Sequence, residues 1–97
     1  MELGEEVLLF LSSDKNVKDV EWEVEDTVGD FCYILTFEKN LGALDKIETL
    51  KFKLNKKFNL YIYCLYDQIA DQLLDDGDEV CIDFYCFKDK KDFLLMY

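Results

Sequence analysis

Val20-Glu21-Trp22-Glu23-Val24-Glu25 alternates without a break between apolar and acidic side chains. A period of two separates into an apolar and a charged face only if the chain is extended, so this stretch reads as a half-buried strand. Val20, Trp22 and Val24 then face a core, and the three glutamates face solvent. Such a strand needs a neighbour. Phe31 to Phe37 supplies one: Phe31, Tyr33, Leu35 and Phe37 alternate with Cys32 and Ile34, so both faces are apolar, as in an interior strand covered on two sides. Asp26 to Asp30, containing Gly29, is the turn between them.

The remaining elements follow from the same patterns. Residues 5–13 suit a short helix, with Leu3, Val7, Leu8 and Leu11 on one stripe and Glu5 and Glu6 in the first turn, where the helix dipole favours acids, although the apolar run would also suit a buried strand. Lys39 to Lys46 reads as a loop, and Ile47 to Leu54 as a strand with Leu50, Phe52 and Leu54 inward. Asn55-Lys56-Lys57 is expected to turn into a strand over 60–65, although a helix fits that stretch as well. Asp67 is placed to N-cap a helix over 68–75 with Ile69, Ala70, Leu73 and Leu74 inward, ended by Gly77. Glu79 to Phe87 is a strand, Lys88 to Asp92 a charged turn, and Phe93 to Tyr97 a closing strand or an exposed apolar tail. The expected fold is α+β: a single domain spanning 1–97, with a mostly antiparallel sheet of five or six strands and one or two short helices packed on one face.

Ninety-seven residues with 51% apolar content suit one compact core. The acidic start Met1–Glu6 is unlike a secretory leader, and apolar runs such as Val7–Leu11 are far short of a membrane span. A cytoplasmic protein with no membrane partner is expected. Cys32, Cys64, Cys81 and Cys86 form no CxxC pair and read as buried thiols. Cys81 and Cys86, five apart on a strand, belong to opposite faces.

The chain holds no histidine, which removes the usual Cys-His and Ser-His nucleophiles. No cysteine pairing suits zinc. In Asp75-Asp76-Gly77-Asp78-Glu79, setting Gly77 at the sixth position of a calcium loop puts Gln72 and Leu74 where the first and third ligands belong. The four glycines stand apart, so no phosphate cradle forms. The expectation is a protein without catalytic residues, metal or cofactor.

What stands out is charge. Twenty-two acids face 11 lysines, giving −11 over 97 residues, beyond the roughly 2–8 that suits a small domain for solubility. Codon bias in an AT-rich genome explains lysine replacing arginine; it does not explain two acids per lysine. Residues 1–30 carry ten acids and two lysines, and 67–83 carry seven acids and no lysine. Glu21, Glu23 and Glu25 form one row along a strand, and Asp67, Asp71 and Asp75 another along a helix, each stepping by roughly 6–7 Å, close to phosphate spacing. Like charges one turn apart, and acids at a helix C-terminus, lower local stability, so these rows point to a use for the field. Residues 46–57 are the opposite, with Lys46, Lys51, Lys53, Lys56 and Lys57 against Glu48; they read as a solvated hairpin whose lysines discourage edge pairing.

A carboxylate surface of this kind is similar in character, though not in any residue motif, to phage-encoded DNA mimics and anti-CRISPR inhibitors. The expected role is a small inhibitory decoy. Glu21, Glu23, Glu25, Asp26, Asp71, Asp75, Asp76, Asp78 and Glu79 would stand in for phosphates on a basic, nucleic-acid-binding partner protein such as a nuclease. The chain itself would bind no nucleic acid, which its charge repels. An immunity protein or antitoxin masking a basic toxin obeys the same physics. A non-catalytic module forming a homodimer through its C-terminal apolar strand is the third alternative.

Overall fold

The computed structural model describes residues 1–25 and 28–97. The order of elements is α1 (Leu3–Ser13), β1 (Val17–Trp22), β2 (Phe31–Glu38), α2 (Ala43–Phe58), β3 (Tyr61–Tyr63), α3 (Tyr66–Leu74), β4 (Glu79–Phe87) and α4 (Lys90–Leu94). The strands form one antiparallel sheet in the order β1-β2-β4-β3. The α+β class therefore stands, but with four strands rather than five or six and four helices rather than one or two.

Both corrections have one main cause. The stretch expected as a strand over 47–54 lies within α2. Leu50, Phe52 and Leu54 do alternate, yet Ala43, Ile47, Leu50 and Leu54 also recur at helical spacing, and these four are the buried ones. Sixteen residues without glycine or proline, with Asp45 in the first turn and Lys56 and Lys57 in the last, satisfy the helix dipole at both ends. Asn59 stops the helix in the left-handed conformation (φ 56°), where asparagine is tolerated. The second cause is the C-terminus: residues 90–94 form α4 in place of a closing strand.

The helices do not share one face. Val7 and Leu11 of α1 and Ile47, Leu50 and Leu54 of α2 cover one side of the sheet, meeting Tyr33, Leu35 and Phe37 of β2 and Val80, Ile82, Phe84 and Cys86 of β4. On the other side α4 lays Phe93 beside Tyr61 and Phe87, with ring centroids 5.8 and 6.2 Å away, and Tyr97 beside Tyr63 at 5.2 Å. β2 is central in the strand order, between β1 and β4, but the expected cover on both faces is partial: on its outer face Cys32 is buried while Ile34 is half-buried.

Two close approaches fix the N-terminal half. Gly4 packs so tightly on the Trp22 indole that a β-carbon there would sit 2.7 Å from the ring, and its carbonyl accepts the buried Tyr33 hydroxyl at 2.6 Å. Gly29 has φ +76°, and a β-carbon would meet the Cys86 carbonyl at 2.8 Å.

Candidate functional site

Helix α3 determines where most of the predicted acids lie. β3 pairs with only the last part of β4, Tyr85 to Phe87, leaving the rest of that edge of β4 without a strand partner. α3 packs there instead, and the Gln72 amide accepts from the Cys81 N–H (2.6 Å) and donates to the Cys81 carbonyl (2.7 Å). One side chain thus does at this position what a neighbouring strand would do. Ile69 is the buried residue of the helix.

The capping differs from expectation. Leu65, not Asp67, occupies the N-cap, and Asp67 lies within the first turn without a capping bond. The helix ends at Asp75, whose carboxylate accepts from the Gly77 N–H at 2.8 Å and from the Lys39 ammonium at 2.9 Å. Lys39 also donates to the Asp75 main-chain carbonyl. A cation from 36 residues away thereby serves the dipole of a helix with no basic residue in its last turn. The Lys39 hydrogen bond, supported by the Gly77 N–H, holds Asp75 below the usual carboxylate range.

α3 buries less than its pattern promises. Ile69, Ala70, Leu73 and Leu74 were expected to face inward, but Leu73 is 37% and Leu74 87% exposed, and Ala70 is exposed as well. Ile69 and Leu73 share one stripe; Ala70 and Leu74 lie about 100° further round, away from the sheet. Leu73 meets Leu41 and Leu44 from the 39–45 segment, with Lys39, Asn40 and Ala43, around an open hollow of about 400 Å³. Leu41 is fully exposed and Leu44 is 43% exposed. Leu41, Leu44 and Leu73 thus line an apolar corner, and exposed Leu74 follows Leu73 at the end of α3. Carboxylates surround it in sequence: Asp45 beside Leu44, Asp71 one turn before Leu74, and Asp75 and Asp76 directly after it.

The nine predicted site residues separate into groups. Asp75 reaches the corner through Lys39, and Asp71 and Asp76 flank Leu73 and Leu74 in sequence; Asp78 and Glu79 follow in the exposed connection and at the start of β4. Glu21 projects from the sheet face opposite the main core, level with Ile34 and Asp83. Glu23 lies just past the strand, its N–H donating to the Cys32 carbonyl at 2.9 Å, and Glu25 is exposed in the following turn. Asp26 lies outside the described residues. Cys32 pairs with Tyr85, six residues along β4 from Glu79, so Glu23 and Glu79 are separated by about 20 Å along the sheet. The two rows therefore flank opposite edges of the sheet, one on and just past β1 and the other on α3 beside β4, with Asp19, Glu38 and Asp83 on the outer face between them. Val24 is 74% exposed because the strand ends at Trp22, two residues before the alternation does.

Most of these acids are not neutralised. Among the described members, Asp75 pairs with Lys39 and Glu79 with Lys18 at 2.8 Å; the other six make no ion pair with a described residue. The Glu79 hydrogen bond raises the Lys18 ammonium above its ordinary value.

The sequence reading missed two features. One is the leucine corner, hidden because 39–46 read as a loop and Leu73–Leu74 as core. The other joins α2 to α3: Lys51 Nζ donates to Tyr66 Oη at 2.7 Å, and that hydroxyl donates to the Glu48 carboxylate. Burial, then the Glu48 bond, pushes the Tyr66 phenol upward, and burial pushes the neighbouring Cys64 thiol up to about 12. A thiol held protonated and a lysine engaged by two partners make a staple between helices, not an activated nucleophile.

The lysines of 46–57 lie on α2 rather than on a hairpin, and Lys57 sits 5.2 Å from the Phe10 ring centroid. None of the four cysteines forms a disulfide; Cys32, Cys64 and Cys86 are buried, and Cys81 is exposed on the face opposite Cys86. No cluster of three or more potential ligands able to hold a metal occurs among the described residues, and no described helix is long and apolar enough to cross a membrane. Comparison with protein-family profiles, with characterised proteins and with solved structures finds no match to this chain.

Proposed function

We propose that this protein is a non-catalytic acidic inhibitor that docks on the cationic surface of a nucleic-acid-binding protein, through the corner formed by α3 and residues 39–45. The observation that carries this reading is the leucine corner with its carboxylate border. Charge alone gives fast, salt-sensitive encounters but little affinity, because exposed ion pairs contribute only about 0–1 kcal/mol each. Affinity needs an apolar centre that water leaves on docking, with polar groups at the rim. Leu41, Leu44, Leu73 and Leu74 offer that centre, and Asp45, Asp71, Asp75 and Asp76 the rim.

Asp71, Asp75, Asp76, Asp78 and Glu79 belong to the docking end, while Glu21, Glu23 and Glu25 extend the negative field along the sheet and steer approach. An immunity protein covering a basic toxin would use the same surface; the identity of the partner separates the two roles.

The experiment is partner capture on the immobilised chain at low salt, repeated with Leu41→Ser/Leu74→Ser and with Asp71→Lys/Asp76→Lys. The reading expects one protein to be retained by the wild-type chain, released by salt and by duplex DNA, and lost by at least tenfold from both variants. A captured protein retained equally by both variants contradicts it.

A further inference from the structure

We infer that the leucine corner also has a receptor on this chain: the basic groove between α1 and the C-terminal half of α2, which takes the corner of a second copy in head-to-tail association. This rests on the reading of the corner as a docking surface, and names what covers it when no other partner is present.

The groove is an open cleft of about 580 Å³ lined by Phe10 and Phe52 with Lys15, Lys53, Lys56 and Lys57. Phe52 is 61% exposed, although it stands on a helix whose other face is core. Lys56 lies 5.5 Å from the Phe52 ring centroid and Lys57 5.2 Å from that of Phe10, so two cations flank an aromatic floor. Among the described residues the only ion pair made by these four lysines is Lys53 with Asp14, at 3.5 Å. A second hollow, reached past Phe10 and Lys57, continues the groove to Leu9, which is 54% exposed.

The two surfaces are complementary in kind. The corner is aliphatic, its one lining cation, Lys39, already held by Asp75, and Asp45, Asp71 and Asp76 adjoin its leucines in sequence; the groove is aromatic and sets four lysines against Asp14. They cannot meet within one molecule, because Leu44 and Phe52 are fixed on the same helix, eight residues or about 12 Å apart. Contact must therefore join two copies by different patches, which extends into chains or closes into a ring.

The net charge of −11 opposes this, in a way that makes a distinctive prediction. At about 0.01 M salt the screening length, roughly 30 Å, matches the molecule's own dimensions of 36 × 29 × 25 Å, so whole molecules repel. At about 0.15 M it falls to roughly 8 Å, and only groups near contact sense one another. Self-association should strengthen between these two conditions, whereas docking on a cationic partner should weaken.

Sedimentation velocity over a concentration series tests this with two variants. Lys56→Glu/Lys57→Glu keeps the corner and spoils the groove; Leu41→Ser/Leu74→Ser keeps the groove and spoils the corner. The wild-type chain should show a rising average mass at about 0.15 M and a smaller rise at about 0.01 M. Each variant alone should stay monomeric, and an equimolar mixture should form a one-to-one dimer and nothing larger. A wild-type chain that is monomeric throughout, a variant that self-associates alone, or a mixture that stays monomeric overturns the inference. Partner capture by the lysine variant keeps the two readings apart: it retains the corner, so it should still bind the partner after losing self-association.

Discussion

Gly29 and Cys81 show how far single residues decide this fold. At φ +76°, with the Cys86 carbonyl 2.8 Å from where a β-carbon would stand, Gly29→Ala is strained and crowded together. The same loop is tied by the Asp30 N–H to the Cys86 carbonyl and by the Lys88 N–H to the Asp30 carboxylate, each at 2.8 Å, so it cannot relax cheaply. Gly29→Ala should cost about 1–3 kcal/mol in urea unfolding; a change within experimental error would show that the loop yields. The cysteines give a second check. In the native protein a thiol reagent should modify Cys81 quickly, and Cys32, Cys64 and Cys86 only on unfolding, because the first is exposed and the others are buried. Mass spectrometry after a short pulse distinguishes one modified thiol from several. Opposite placement of Cys81 and Cys86 was legible from their odd spacing on a strand; the exposure of Cys81 was not, because no count within the sequence shows which strand face a helix will leave bare.

Among the elements, the sequence declared strands where one face had to be chemically distinct and failed where two periods fitted. β2 and β4 were plain from apolar alternation; the stripe of α1 favoured a helix, though its apolar run also suited a strand. α2 was misread because Leu50, Phe52 and Leu54 satisfy a period of two while Ile47, Leu50 and Leu54 satisfy a helix, and only length and end charges decide between them. α3 was found but turned wrongly, since Leu73 and Leu74 are adjacent and cannot both lie under one helix. Its attachment rests on Gln72, for which the sequence carries no signal. Gln72→Ala should leave the Cys81 N–H and carbonyl unpaired, lower stability by about 1–3 kcal/mol and speed exchange of the Cys81 amide. Unchanged exchange would mean that another group takes over. The Lys39–Asp75 contact makes a pH prediction. Asp75 is held below its ordinary 3.8, so its contribution is present above that value and is lost as pH falls through the folded one. The stability gap between wild type and Asp75→Asn should therefore hold at neutral pH and narrow on acidification below about 3.8; a gap that stays constant to lower pH would deny the link.

For the whole molecule, the charge excess was visible in the sequence and its distribution was not. The acids of β1 and α3 read as two matched rows, yet the strand order sets them at opposite edges of the sheet, a consequence of pairings that no local pattern reports. What the fold adds is the apolar corner, formed only when residues 39–45 meet the end of α3. If the corner is the docking surface, hydrogen exchange of the chain bound to its captured partner tests that most directly. Slowed exchange concentrated in 39–45 and 70–76, with α4 and the outer β1 edge unchanged, is the predicted footprint. Protection confined to Glu21–Glu25, or to α4, with the leucine corner still exchanging freely, would contradict it.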